Sequence, residues 1–116
     1  MKAYFGDIDI NSLDIPVDKE YPGKNNDVGR RYFLNILHSI KNIGVKRPII
    51  VRENEVLIGG ARVRAVKHLG HKTISAIVFS STNIPNLRKI KSYDELLKIS
   101  RLSELIVTED LFKHRN

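Results

Sequence analysis

Hydrophobic positions change period several times along the chain, and each change marks an element. Ile8, Ile10 and, after a break, Leu13 alternate with polar residues, which predicts a short strand over 8–13; residues 1–7 precede it without a decisive pattern. Residues 16–26 are polar, with Pro22-Gly23 as a turn signal. Asn26 or Asp27 can cap a helix over 28–43. Its apolar stripe is Tyr32, Phe33, Ile36, Leu37, Ile40 and Ile43, at helical spacing, and Gly44 stops it. The apolar runs 48–52 and 55–58 predict two strands. Glu53-Asn54 forms the turn between them, Asn54 being the residue that tolerates positive φ. Helical spacing returns at Ala61, Ala65 and Leu69 and ends at Gly70, the C′ residue, before a β-rich run over 73–79.

The remaining pattern is sparser. Residues 80–86 are a polar loop, and 87–91 read either as one more short strand or as a basic extension. Ser92-x-x-Glu95 is a capping box for a helix to about residue 102, with Tyr93, Leu96, Leu97 and Ile99 as core contacts. Leu105-Ile106-Val107 is ambiguous, and Thr108-Glu109-Asp110 precedes a short terminal helix. The expected fold is α/β (α+β). It has a small mixed sheet from 8–13, 48–52, 55–58 and 73–79, and the 28–43 helix packs on it through Ile36, Leu37 and Ile40. No repeat or linker divides the chain, so residues 1–116 are expected to form a single domain.

The junction at Gly59-Gly60 is where chemistry enters. A buried run, Val56-Leu57-Ile58, passes through two glycines directly into a helix. Such a turn aims backbone N–H groups and the positive end of the helix dipole at one point. Arg62 and Arg64 add positive charge in the first turn, where like charge costs about 0.3–1 kcal/mol per exposed group. A nearby anion removes that cost. The residues read either as a phosphate-binding loop (Gly59, Gly60, Ala61, Arg62, Arg64) or as a tight turn whose arginines point to water. Arg30 and Arg31 open the preceding helix in the same way and form a second candidate pair.

Composition narrows the functional classes. The chain of 116 residues carries a net charge of +7, and the charge is unevenly placed. Residues 1–23 hold two lysines against five carboxylates, residues 24–91 fourteen basic residues against three acidic, and residues 92–116 four against five. A concentrated basic segment attracts polyanions. Arg30, Arg31, Lys46, Arg47, Lys67 and Lys72 are the candidate nucleic-acid contacts. Cysteine is absent, which excludes disulfides and thiolate metal sites. The four histidines, at 38, 68, 71 and 114, lack metal-ligand spacing, so no metal site is expected. No apolar run approaches the roughly 18 residues of a membrane span and no signal peptide is visible, so a cytoplasmic, non-membrane protein is expected.

Several of these pieces occur in one order: Ile10-Asn11-Ser12-Leu13, then a helix ending Leu37-His38-Ser39-Ile40-Lys41-Asn42-Ile43-Gly44, then Arg47-Pro48-Ile49-Ile50-Val51-Arg52, then residues 56–67 and the strand 73–79. In that order residues 8–79 resemble the ParB N-terminal domain and sulfiredoxin superfamily, often called ParB-like nuclease, with 80–116 as a helical extension. In the CTP-binding ParB proteins the loop resembles Gly-Glu-Arg-Arg-x-Arg-Ala. Here Gly59 keeps the glycine, Gly60 replaces the acid, Ala61 replaces the first arginine, and Arg62 and Arg64 keep the other two. Against the Asp-Gly-His-His-Arg loop of ParB-like enzymes, only Gly59 and Arg62 remain. The catalytic cysteine of sulfiredoxin falls on Gly60, so sulfinic-acid reduction is excluded.

The resemblance implies a module that holds a phosphate of a nucleotide or a nucleic-acid backbone in a DNA-associated process. Two alternatives stand beside it. One is a nucleotide-dependent phosphotransferase, NTPase or nuclease, for which Asp18 and Glu20 are the candidate catalytic carboxylates. The other is a scaffold that has lost ligand binding. Loss of the loop's Glu, His and Cys favours the non-catalytic readings. The resemblance names no single cofactor; a nucleoside triphosphate with Mg²⁺ is the one it allows, and a homodimer the assembly it allows. A ParB helix-turn-helix is not expected in the tail, because residues 103–112 are apolar and acidic, the wrong surface for DNA.

Overall fold

The structure, a computed structural model, describes residues 1–15, 27–43, 47–99 and 111. Strand β1 (Lys2–Asp9) leads into a 3-10 turn (Ile10–Ser12). Helix α1 (Asp27–Ile43), the hairpin β2 (Ile49–Arg52) and β3 (Glu55–Ile58), helix α2 (Gly60–His68), β4 (Thr73–Ser80), β5 (Arg88–Ile90) and α3 (Tyr93–Ile99) follow. The five strands form one mixed sheet in the order β3-β2-β4-β1-β5. β2 and β4 are parallel, and every other neighbouring pair is antiparallel.

Period-2 alternation divides the sheet between two cores. Ile49, Val51, Val56, Ile74, Ala76 and Val78 face α1 and α2, meeting Ile40 of α1 and Val63, Ala65 and Val66 of α2. Ile50, Ile77, Phe79 and Ile90 face the other way, against Leu96 of α3, and Leu111 also packs there. Phe33, Ile36 and Leu37 join Ile40 on the buried side of α1, as the stripe predicts, while Leu34, off the stripe, is 59% exposed. Burying each large aliphatic residue contributes about 1.5–3 kcal/mol, so these two layers supply most of the folding drive.

Four expectations are corrected. The first strand is Lys2–Asp9, not 8–13, because the Asp9 carboxylate accepts the Asn11 N–H at 2.9 Å and closes the 3-10 turn. Residues 1–7 hide their strand character because β1 lies between β4 and β5 with Ala3 and Tyr4 both buried, which erases alternation. In the β2–β3 turn the positive φ, 54°, falls on Glu53 rather than Asn54. Leu97 is 39% exposed and is not a core contact of α3. Within residues 87–91, Arg88–Ile90 is a strand, β5. The capping box forms with one exchange: Ser92 Oγ accepts the Glu95 N–H at 3.2 Å, and the Glu95 carboxylate accepts from Lys91 N–H, at 3.3 Å, in place of Ser92 N–H. The expected features at Asn26, at Gly44, and over residues 100–110 lie outside the described residues.

Both sheet edges are modified. Asp14 runs beside β3, donating its N–H to Asn54 O at 2.8 Å and accepting the Val56 N–H at 2.8 Å. At the opposite edge β5 is three residues long and carries Arg88 and Lys89, which discourages edge-to-edge pairing. Arg88 forms an ion pair with Glu95 and stacks over Phe5, its guanidinium carbon 5.5 Å from the ring centroid. Among the described residues no helix is long and apolar enough to cross a membrane.

Candidate functional site

The strand-to-helix junction is built on Gly59. Its φ of 106° and ψ of 20° turn the chain from β3 into α2 within one residue, a conformation that side chains resist. Space is as restrictive as torsion: a Cβ there would sit 2.5 Å from Ile49 Cγ2 and 3.0 Å from Ile49 Cβ. Gly59 is the N-cap residue and makes no side-chain cap bond. The first helical bond runs from Val63 N–H to Gly59 O at 3.0 Å, so the amides of residues 60–62 precede the ladder at the positive end of the helix. Gly60 and Ala61 are buried, Arg62 is half-buried and Arg64 is exposed.

Arg62 has a structural task that the sequence does not reveal. One guanidinium nitrogen donates to Arg47 O at 2.8 Å and sits 3.4 Å from Pro48 O. It thereby ties the residues entering β2 to the first turn of α2, and it brings Arg47 beside the loop. Arg64, two residues on, has its side chain on the solvent side.

The other predicted residues are scattered. Arg30 and Arg31 are exposed in the first turns of α1, Lys67 is exposed near the end of α2, and Lys72 is exposed just before β4. Lys46, Asp18 and Glu20 lie outside the described residues.

A concavity of about 300 Å³ beside β1 and the β2–β3 turn, lined by polar and apolar residues alike, went unread in the sequence. Its lining includes Asp7, Asp9, Ser12, Glu53, Asn54 and Asn86. Its carboxylates serve the fold: Asp7 accepts the Ser75 hydroxyl at 2.9 Å, and Asp9 holds the 3-10 turn. Glu53 accepts the Ser81 N–H at 2.9 Å and the Ser81 and Ser80 hydroxyls at 2.8 and 3.2 Å. The Ser81 amide, then its hydroxyl, hold the Glu53 carboxyl below its ordinary range. The clue in the sequence is the polar triplet Ser80-Ser81-Thr82 that ends β4, but nothing local aligns it with residue 53. Among the described residues no three His, Asp or Glu side chains converge to hold a metal ion.

A mixed five-stranded sheet between α1–α2 and α3, with a glycine-built turn at the head of α2, defines the class of domain. The chain belongs to the ParB N-terminal domain family, whose sequence model matches residues 21–92. No curated protein sequence matches the chain. Several solved structures share the fold, among them the following two. A Pnob8-like ParB-N domain aligns over 93% of this chain and 36% of its own, with a TM-score of 0.54 and 17% identity. The C-terminally truncated chromosome-partitioning protein ParB from Caulobacter crescentus, complexed with CTP-gamma-S, aligns over 90% of this chain and 53% of its own, with a TM-score of 0.54 and 20% identity. The chain thus spans about a third to a half of the length of these two proteins.

Proposed function

We propose that this domain binds the phosphate group of a nucleotide at the head of α2, through the backbone amides of residues 60–62 with Arg64 as the exposed cationic side chain beside them. The observation that carries the reading is the left-handed Gly59 N-cap, which opens the helix without a side chain to satisfy its first amides. The Caulobacter relative complexed with a CTP analogue supports the choice of a nucleoside triphosphate. The loop carries no carboxylate, so its residues fit a phosphate and not a metal ion; Mg²⁺, if it accompanies the nucleotide, would be held by phosphate oxygens and water. For the same reason the reading is binding, not turnover: Gly60 and Ala61 supply no acid, base or nucleophile.

Calorimetric titration with CTP, ATP and inorganic phosphate tests it. Arg64→Ala is the informative variant, because Arg62→Ala would also release the Arg47 and Pro48 carbonyls. Loss of a charge-assisted contact should weaken triphosphate binding by about 1–3 kcal/mol. Identical affinities for the wild type and Arg64→Ala, or no binding of any triphosphate, would favour the scaffold reading. Mg²⁺-dependent multiple turnovers would favour the enzyme reading.

A further inference from the structure

The concavity beside β1 has a chemistry that the phosphate site does not use. It lies at the other end of β3 from Gly59: the Glu53-Asn54 turn in its lining precedes β3, and Gly59 follows it. Two fixed segments enclose it. On one side, the 3-10 turn is tied down by the Ile10 N–H on Lys72 O at 3.0 Å and by the Asp14 N–H on Asn54 O at 2.8 Å. On the other, the Leu87 N–H closes a turn on Ile84 O at 3.2 Å, and the Tyr4 hydroxyl holds the same loop at Asn83. Leu87 presses on Gly6, where a Cβ would sit 2.7 Å from Leu87 Cδ2. The space left between these walls, about 300 Å³, is at the lower end of the range for small-ligand sites.

The lining has two characters. Ile8, Leu13, Ile84 and Leu87 are half-buried and Val78 is buried, so part of the concavity is apolar surface still open to solvent. Asp7, Asp9 and Glu53 are exposed around it. In a chain with 20 lysines and arginines against 13 acids, no Lys, Arg or His among the described residues lines this space. The fold does not exhaust the carboxylates. The Asp7 side chain accepts one bond, from the Ser75 hydroxyl, and the Asp9 side chain one, from the Asn11 amide; neither forms an ion pair with a described residue. An ionised carboxylate offers about four acceptor sites. Asparagine would serve either bond as well, so the fold accounts for the acceptors but not for their charge. Asp7 and Asp9, two apart on one strand, also repel each other from the same side of β1.

We infer that this concavity binds a small organic cation, an ammonium or guanidinium head on a short apolar stem. The head meets the Asp7 and Asp9 carboxylates, and the stem covers the open apolar surface of Ile8, Leu13 and Leu87. Glu53, whose oxygens are taken by Ser80 and Ser81, adds negative field rather than a contact. A bare metal ion fits less well, because among the described residues no three His, Asp or Glu side chains converge and much of the lining is apolar. A basic polypeptide also fits less well, because the net charge of +7 on this chain repels it at long range. The cation is therefore a free amine or guanidine.

The test is a heteronuclear NMR titration of the whole chain near neutral pH at constant ionic strength. Pentylamine carries both head and stem, pentanol the stem alone and ammonium chloride the head alone. Pentylamine should give saturable shifts at the amides of Asp7, Asp9, Leu13 and Leu87, and the other two probes should not. The double variant Asp7→Asn/Asp9→Asn keeps both acceptors and removes both charges. It should weaken pentylamine by about tenfold, roughly threefold for each exposed charge removed, and leave the triphosphate titration unchanged. Equal shifts with pentanol or ammonium, no saturable shifts with pentylamine, or full affinity in the double variant would overturn the inference. So would tighter binding of Nα-acetyl-lysine methylamide, which would assign the site to a protein side chain. The probe comparison needs only the wild type, so it decides even where the double variant does not fold. The nucleotide reading fails separately, in the Arg64→Ala titration.

Discussion

Alanine at position 59 would place a methyl group where both the torsion and the neighbours oppose it. The left-handed region costs an L-residue about 1–2 kcal/mol, and the Gly59 φ of 106° lies beyond the centre of that region. The added Cβ would meet Ile49 Cγ2 at 2.5 Å and Ile49 Cβ at 3.0 Å, and Ile49 is fully buried. Overpacking of a filled core costs about 1–3 kcal/mol. Together, Gly59→Ala should destabilise the domain by about 2–5 kcal/mol, a large share of the 5–15 kcal/mol typical of such domains. Urea denaturation measures this directly, with an unchanged slope expected if only native strain is involved. Gly70→Ala is the control, because φ there is also positive, 84°, but nothing lies within 4 Å of the added Cβ. It should show the torsional cost of about 1–2 kcal/mol alone. Ile49→Ala removes Cγ2, so the double variant Gly59→Ala/Ile49→Ala should lose less than the sum of the singles. Equal losses at positions 59 and 70, or strict additivity with Ile49→Ala, would refute the claim that Ile49 closes against the loop.

Two further outcomes probe the rest of the frame. Glu53 has its carboxyl pKa depressed by the Ser81 amide and hydroxyl, so its stabilisation is present above the ordinary glutamate value and is lost as pH falls through the lowered one. Glu53→Gln should therefore flatten the stability curve below about pH 4.3, and parallel wild-type and variant curves in acid would show that the clamp carries no linkage. Tyr4, 1% exposed, donates its hydroxyl to Asn83 Oδ1 at 3.1 Å, so Tyr4→Phe should cost about 0.5–1.5 kcal/mol in chemical denaturation, and no change would mean the bond is balanced by lost hydration.

The order of elements from α1 to α3, apart from β5, which could also be a basic extension, was open to reading because each is signalled within its own span. The α1 stripe, the turn between β2 and β3, the double glycine before α2, Gly70 after it and Ser92 before α3 all act on residues three or four positions away. The conclusion that the loop could face an anion rests on the same local logic, namely glycines followed by a helix with arginines in its first turn.

Tertiary structure decided the rest, because the partners lie far apart in sequence. β1 begins at Lys2 because β4 and β5 supply its hydrogen bonds from more than sixty residues away, and burial on both faces removes the alternation that would have announced it. One guanidinium nitrogen of Arg62 binds the carbonyls of Arg47 and Pro48, fifteen and fourteen residues upstream, which gives it a bracing role that its place in the loop does not announce. Glu53 takes the positive φ in place of Asn54 where its carboxylate is held by Ser80 and Ser81, twenty-seven and twenty-eight residues on. Backbone propensity and side-chain period act within a turn or two and are written in the sequence. Which strand fills the gap in a sheet, and which polar group waits across it, is set by packing the whole chain into one volume.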